Sequence, residues 1–468
     1  MILKKTLLAI SCSVILTACG GGGGGSSSSG GTSDNGGSNG ETANPSNPAT
    51  DLEKAKVLIK TTNNIIAYFD SFKGLQSQYE PAFDAVSNAG NDISNASDLI
   101  ITLASLAQKD AQGSTKDYTA AELEALLEDD ATYGGIYYPD YILSKNGLKI
   151  SVTPTSVSVN GSVSAKYWMD YIWDSSTFTG KDVFSDAVLI TVSNLKLDAP
   201  FTASAKQHNF KIVSGGKITA KNADGLESSL GFNSNSTAQV VYDTDIKLED
   251  SESENAPVTA QFKFLNVLLT TQNAKLNLTE LSSKAARVKF KNGTETFNQI
   301  IPYEIILKGE ALSGAENLGL DANIKLKNDL TKTFDITQGE SAAAFINADL
   351  TVNLSGNVKG GGAAVKPFSL LLNAKRNDYQ KGIANLKVTV DQNTLNIDVK
   401  TDNLIAQSPI IWSRVSHANG AFVEIPDLDQ FSSADIKVGT VSYGTINRVS
   451  NSIYSAKFTD NTVLMIAP

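Results

Sequence analysis

The chain has 468 residues and 49.6 kDa, with 39 Lys+Arg against 49 Asp+Glu and a net charge of −10. An apolar fraction of 41% excludes wholesale disorder, and the length suffices for one large domain or two ordinary ones. Two Cys and two His exclude a disulfide framework and a Cys/His zinc cluster, while the acidic balance argues against nucleic acid and against a polybasic membrane contact.

Met1 to Ala18 opens with Lys4 and Lys5 and continues as an apolar stretch from Thr6 to Ala18. That stretch is too short to span about 30 Å of hydrocarbon and has the proportions of a secretory signal. It closes on Leu16-Thr17-Ala18-Cys19, followed at once by a Gly/Ser run. This ending resembles the lipobox of bacterial lipoproteins. The resemblance implies cleavage between Ala18 and Cys19, then a thioether-linked diacylglycerol and an amide-linked acyl chain on Cys19. Each buried methylene contributes roughly 0.8 kcal/mol, so several chains hold the protein to a membrane for good. Cys12 leaves with the signal, and Gly20 in place of Asp implies, on the enteric pattern, the outer membrane. Either its periplasmic or its external face fits.

Residues 19–49 read as a tether. Gly20 to Gly25, Ser26 to Ser29 and a Gly/Ser/Asn/Thr tract ending in Asn44-Pro45-Ser46-Asn47-Pro48 offer nothing to bury, so a flexible coil is expected. A helical segment is expected over 50–145. Thr50-Asp51-Leu52-Glu53 fits a capping box, and Leu52, Ala55, Ile59, Thr62, Ile66 and Phe69 recur at helical spacing up to Gly74. A second helix is predicted from Pro81 over 82–89, and a third carries Leu99, Ile100, Leu103 and Leu106. Thr119-Ala120-Ala121-Glu122 repeats the capping box before Leu123, Leu126 and Leu127.

From Leu148 the period changes to two. Leu148-Lys149-Ile150-Ser151-Val152, Ala274-Lys275-Leu276-Asn277-Leu278 and Asn385-Leu386-Lys387-Val388-Thr389-Val390 alternate apolar with polar, as do many runs between and beyond them. Half-buried antiparallel strands read this way, and short polar links such as Asp391-Gln392-Asn393-Thr394 mark hairpins. No fixed repeat length emerges, which argues against propellers and regular solenoids. The fold class expected is mainly β with an N-terminal helical segment, built on large antiparallel, curved or barrel-like sheets over 146–468. One long curved sheet and two β-subdomains both fit, the second with a break near 249–257, at the acidic stretch from Glu249 to Asn255. Small residues on the apolar strand faces and 7% aromatics argue against a transmembrane barrel.

Little in the chain points to chemistry. There is no Gly-x-Ser-x-Gly elbow, and a triad would have to use His208 or His417, each of which reads as an ordinary strand or turn histidine. Asp243 with Asp245, or Asp427 with Asp429, lack the loop pattern of a calcium site and read as solvated turn residues. No cofactor, metal or catalytic residue is therefore expected. One cluster stands out. Tyr137, Tyr138 and Tyr141 precede Tyr167, Trp168, Tyr171 and Trp173, a density suited to a platform for a ligand or a protein partner.

The expected function is non-catalytic binding or scaffolding at the cell envelope, with an envelope protein or an extracellular ligand as partner. A lipid or lipopeptide carrier with an apolar β trough is the alternative, and an envelope hydrolase with a carboxylate site a third reading. The layout of lipobox, Gly-rich tether and β-rich body also resembles transferrin-receptor-type surface lipoproteins, although their Gly-x-Phe and Glu-Leu-Gly-Gly barrel signature is missing.

Overall fold

The computed structural model describes residues 50–466, apart from 134–135, 138, 146, 175–178, 200–203, 248–256, 314–315, 336, 338–346, 360–364, 377–380, 403–409, 428–429 and 451–452; over 67–90 it describes backbone alone. The signal, Cys19, the tether and the acidic stretch thus lie outside the described residues. The chain is mainly strand, paired antiparallel almost throughout, with helix confined to its N-terminal part. No helix among the described residues is long and apolar enough to cross a membrane.

The first helix, α1, runs unbroken over Asp51–Ala111, 61 residues. Three helices were expected here, separated near Gly74 and Pro81. A proline inside a helix costs about 3 kcal/mol. Both ends of α1 are held by tertiary burial that exceeds this: Ala55, Leu58, Ile59 and Ile65 near its start, and Ile93, Ala96, Leu99, Ile100, Leu103 and Ala107 towards its end. A fully buried Leu or Ile contributes about 1.5–3 kcal/mol, so the flanks outweigh the breakers between them. The second helix, α2, spans Ala120–Asp130 and starts at the expected capping box, with Thr119 and Glu122 satisfying each other's backbone amides.

The expected helical segment over 50–145 is interrupted by strand. Lys116–Tyr118 pairs with Lys149–Thr153, and Tyr141–Ser144 pairs with Ser156–Asp174. These segments are short and follow a helix, so their alternation is too brief to register as strand in sequence.

The described residues divide into two compact units, 79–352 and 50–78 with 353–466. The boundary falls at 352 rather than near 249–257, because the strands on either side of the acidic stretch, Ser236–Ile246 and Thr259–Thr270, pair directly with each other. In the first unit the strand order runs Lys116–Tyr118, Lys149–Thr153, Ser156–Asp174 and Val188–Asp198, then continues from Thr259–Thr270 through Ala274–Asn292 and Glu295–Ser313 to Glu316–Leu326. Between Val188–Asp198 and Thr259–Thr270 the sheet holds two strand pairs side by side. Lys217–Lys221 with Glu227–Phe232 fills one end, and Ala205–Ile212 with Ser236–Ile246 fills the other. One parallel pairing, of Thr333–Asp335 with Ala274–Asn292, adds a short strand. The inward side chains, among them Val163, Ile190, Phe262, Leu276 and Leu281, form one buried cluster with the 93–111 part of α1 and with Leu123 and Leu127 of α2.

The second unit is a sequential meander from Val365–Arg376 to Val463–Ile466. Its apolar face, including Val388, Leu395, Val423, Ile436 and Phe458, packs against Ala55, Leu58, Ile59 and Ile65. Polar contacts fasten the helix to the loops and the last strand. Lys56 Nζ donates to Asp460 at 2.6 Å, Asn63 Nδ2 to the Met465 carbonyl at 2.8 Å, and Asn419 Nδ2 to the Lys54 carbonyl at 3.1 Å. Of the expected link Asp391-Gln392-Asn393-Thr394, Asp391 and Gln392 alone form the turn, since Asn393 and Thr394 already pair with Val390 and Thr389; Asp391 has φ 54, the left-handed conformation that a two-residue turn demands.

Candidate functional site: an aromatic ribbon

The 19-residue strand Ser156–Asp174 changes character along its length. Over its first part Val157, Val159, Val163, Ala165 and Tyr167 alternate inward and are buried, because neighbours pair on both sides. Past Tyr167, whose Cα partner is Tyr141, the described strand pairing on that side ends, its last bond running from the Trp168 amide to the Asp140 carbonyl at 2.9 Å. The remaining residues pair only with Thr179–Phe184, forming a two-stranded ribbon. There the alternation of burial is lost, and Trp168, Met169, Tyr171, Ile172 and Trp173 are all between 45% and 63% exposed.

A β-bulge decides which way the aromatic groups face. Trp168 stands opposite Phe184 and Asp170 opposite Val183, so Met169 is the extra residue; Tyr171 then opposes Asp182, Ile172 opposes Lys181, and Trp173 opposes Gly180. Directly opposed residues share a face, and successive residues alternate. Without the bulge Trp168 would point the same way as Asp170 and Ile172. With it, Trp168, Tyr171 and Trp173 share one face, while Asp170, Ile172, Lys181 and Val183 share the other. The Trp168 indole confirms the placement by donating from Nε1 to Asp182 Oδ1 at 2.9 Å, on the aromatic face. Gly180 completes the surface: a Cβ there would lie 1.7 Å from the Tyr171 hydroxyl, so only glycine leaves the ring room to lean across its neighbour.

The seven aromatic residues singled out in sequence are thus sorted. Trp168, Tyr171 and Trp173 come together on the ribbon. Tyr137 is 50% exposed on the small pair formed by Thr132–Tyr133 and Ile136–Tyr137, and Tyr138 lies outside the described residues. Tyr141 and Tyr167 turn inward and pack edge to face, with centroids 5.7 Å apart at 81°. The Tyr141 hydroxyl donates to Asp98 of α1, and burial together with that carboxylate pushes its pKa upward. The Tyr167 hydroxyl is buried and meets no hydrogen-bond partner among the described residues. Its pKa rises through burial first, then through the charges of Asp92 and Asp98. Asp92 is itself raised by burial. Met169 and Ile172 belong to the exposed ribbon but were missed by a search confined to aromatics; their signal was an unbroken run of large side chains, Tyr167-Trp168-Met169, where alternation should have placed a polar residue.

The other candidates stay apart. His208 is fully buried in the first unit, its Nε2 3.0 Å from the Ile246 carbonyl oxygen and its ring on Tyr242. His417 sits in a hairpin turn of the second unit, where its Nδ1 accepts from the Asn419 amide. Asp243 accepts from Arg287, and Asp429 lies outside the described residues. No group of three or more His, Cys, Asp or Glu among the described residues is arranged to hold a metal ion.

Set against protein-family models, curated proteins and solved structures, the chain matches none. The ribbon must therefore speak through its own chemistry. It presents wide apolar area with polar tips and one carboxylate already engaged on the aromatic face.

Proposed function

We propose that the chain is an acylated lipoprotein of the outer membrane, anchored through Cys19, whose folded body acts by binding rather than catalysis. Its partner is an envelope component or an extracellular ligand. The observation that carries the binding role is the shared face of Trp168, Tyr171 and Trp173, left exposed on a ribbon that the rest of the fold does not need for its core. Tyr and Trp combine large contact area with a hydrogen-bonding tip and dominate binding surfaces for that reason. The anchor rests on the Leu16-Thr17-Ala18-Cys19 resemblance.

Two measurements test this reading. Cells fed labelled palmitate should incorporate it into the parent chain and not into Cys19→Ser. Crosslinking in intact envelopes should give adducts that Trp168→Ala with Trp173→Ala removes while the melting temperature holds; unaltered adducts would take the ribbon out of the binding role.

A further inference from the structure

We propose that the two paired strands of the ribbon, 168–174 and 179–184, lie flat on a bilayer, their aromatic face at the level of the lipid headgroups. The inference rests on the binding role of the same ribbon and names what it binds. Three features of the geometry select a lipid surface. First, the ribbon is amphipathic across its thickness. Trp168, Tyr171 and Trp173 occupy one face, whereas Asp170 and Lys181 share the other with Ile172 and Val183, so one orientation places the three rings in the interface and both of those charges in water. The single carboxylate on the aromatic face, Asp182, is already matched to the Trp168 indole.

Second, among the described pairings both outer edges of the ribbon are without a strand partner beyond Trp168. Unpaired amides and carbonyls exclude deep insertion, where each unsatisfied group costs several kcal/mol, and are satisfied by water at headgroup depth. Third, about 30 residues separate Cys19 from Thr50. At 3.3–3.6 Å each they reach at most roughly 100 Å, so an acylated Cys19 keeps the bilayer within range of the body. Between Trp168 and Phe184 the sequence holds Asp170, Asp174 and Asp182 against Lys181. This balance fits zwitterionic headgroups and offers nothing to anionic ones.

The test uses the chain from position 19 onward with Cys19→Ser, so that no acyl chain contributes. Trp412→Phe leaves Trp168 and Trp173 as the two reporting indoles of the three in the chain. Titration with phosphatidylcholine vesicles should shift their emission to the blue, and lipids brominated near the headgroup should quench it. Trp168→Ala with Trp173→Ala, in the Trp412 background, should weaken vesicle co-sedimentation at least about tenfold with the far-UV spectrum and melting temperature unchanged. Adding phosphatidylglycerol should not strengthen binding. Absence of quenching, equal sedimentation of parent and variant, or a dimer in ultracentrifugation that the double variant dissolves would overturn the proposal. If vesicles fail while the two alanines still abolish envelope adducts, the lipid assignment falls and the binding role stands.

Discussion

Tyr141 and Tyr167 stand edge to face at the base of the ribbon, and removing the same atom from each should have opposite consequences. Tyr141→Phe takes away the donor to Asp98, a half-buried carboxylate. Hydrogen bonds to charged groups contribute about 1.5–3 kcal/mol, and partial exposure reduces this to about 1–2 kcal/mol of lost stability. Tyr167→Phe removes a hydroxyl that is buried without a partner among the described residues, on a residue only 7% exposed. Burying such a group unmatched costs about 1–3 kcal/mol, so its removal should recover about 1 kcal/mol. Ring packing is kept in both variants. The two should therefore differ by about 2–3 kcal/mol, which for a unit of this size separates melting midpoints by roughly 4–12 °C. Differential scanning fluorimetry and urea titration of both variants measure this. If Tyr167→Phe destabilises as much as Tyr141→Phe, the hydroxyl has a partner and the reasoning about this pair is wrong.

Three further outcomes follow from the packing. Gly309→Ala should be less stable than Gly231→Ala by about 1–3 kcal/mol, since a Cβ at 309 would sit 2.3 Å from the Asn277 carbonyl oxygen, whereas at 231 the nearest atom is 3.9 Å away; equal urea midpoints would refute the close approach. Leu58→Ala and Leu99→Ala, 1% and 0% exposed at the two ends of α1, should each cost about 2–5 kcal/mol, read from their chemical denaturation curves. The Asp460 carboxyl is lowered from 3.8 to about 2, chiefly by the Lys56 ammonium and then by Thr462. A lowered carboxylate stabilises the fold fully above its unfolded value and loses that contribution as pH falls through the folded one. Acid titration should therefore show Asp460→Asn with a shallower loss of stability than the parent between about pH 4 and 2, and parallel curves would count against the pairing.

How much of this was legible in the sequence depends on range. Local rules served well. Thr119 and Glu122 cap a helix as their spacing requires, Asp391 turns a hairpin, and the alternation of Lys149–Thr153 and Ala274–Asn292 gives strands with the expected buried faces. Features set by distant contacts were not readable. The continuity of α1 past Pro81 depends on burial at both its ends against strands up to several hundred residues away. The unit boundary at 352 depends on Ser236–Ile246 pairing across the acidic stretch with Thr259–Thr270. The aromatic cluster was visible as a density of residues. Its division into inward Tyr141 and Tyr167 and outward Trp168, Tyr171 and Trp173 was not, because strict alternation assigns Trp168 to the wrong side and only the cross-strand register reveals the slip.

The bulge at Met169 makes that surface depend on pairing before chemistry. Swapping one ring for another leaves the platform in place, and losing the codon at 169 would leave Trp168, Tyr171 and Trp173 at alternate positions of a regular strand, still on one face; drawing Met169 into the ladder would instead turn the first indole away from its two companions.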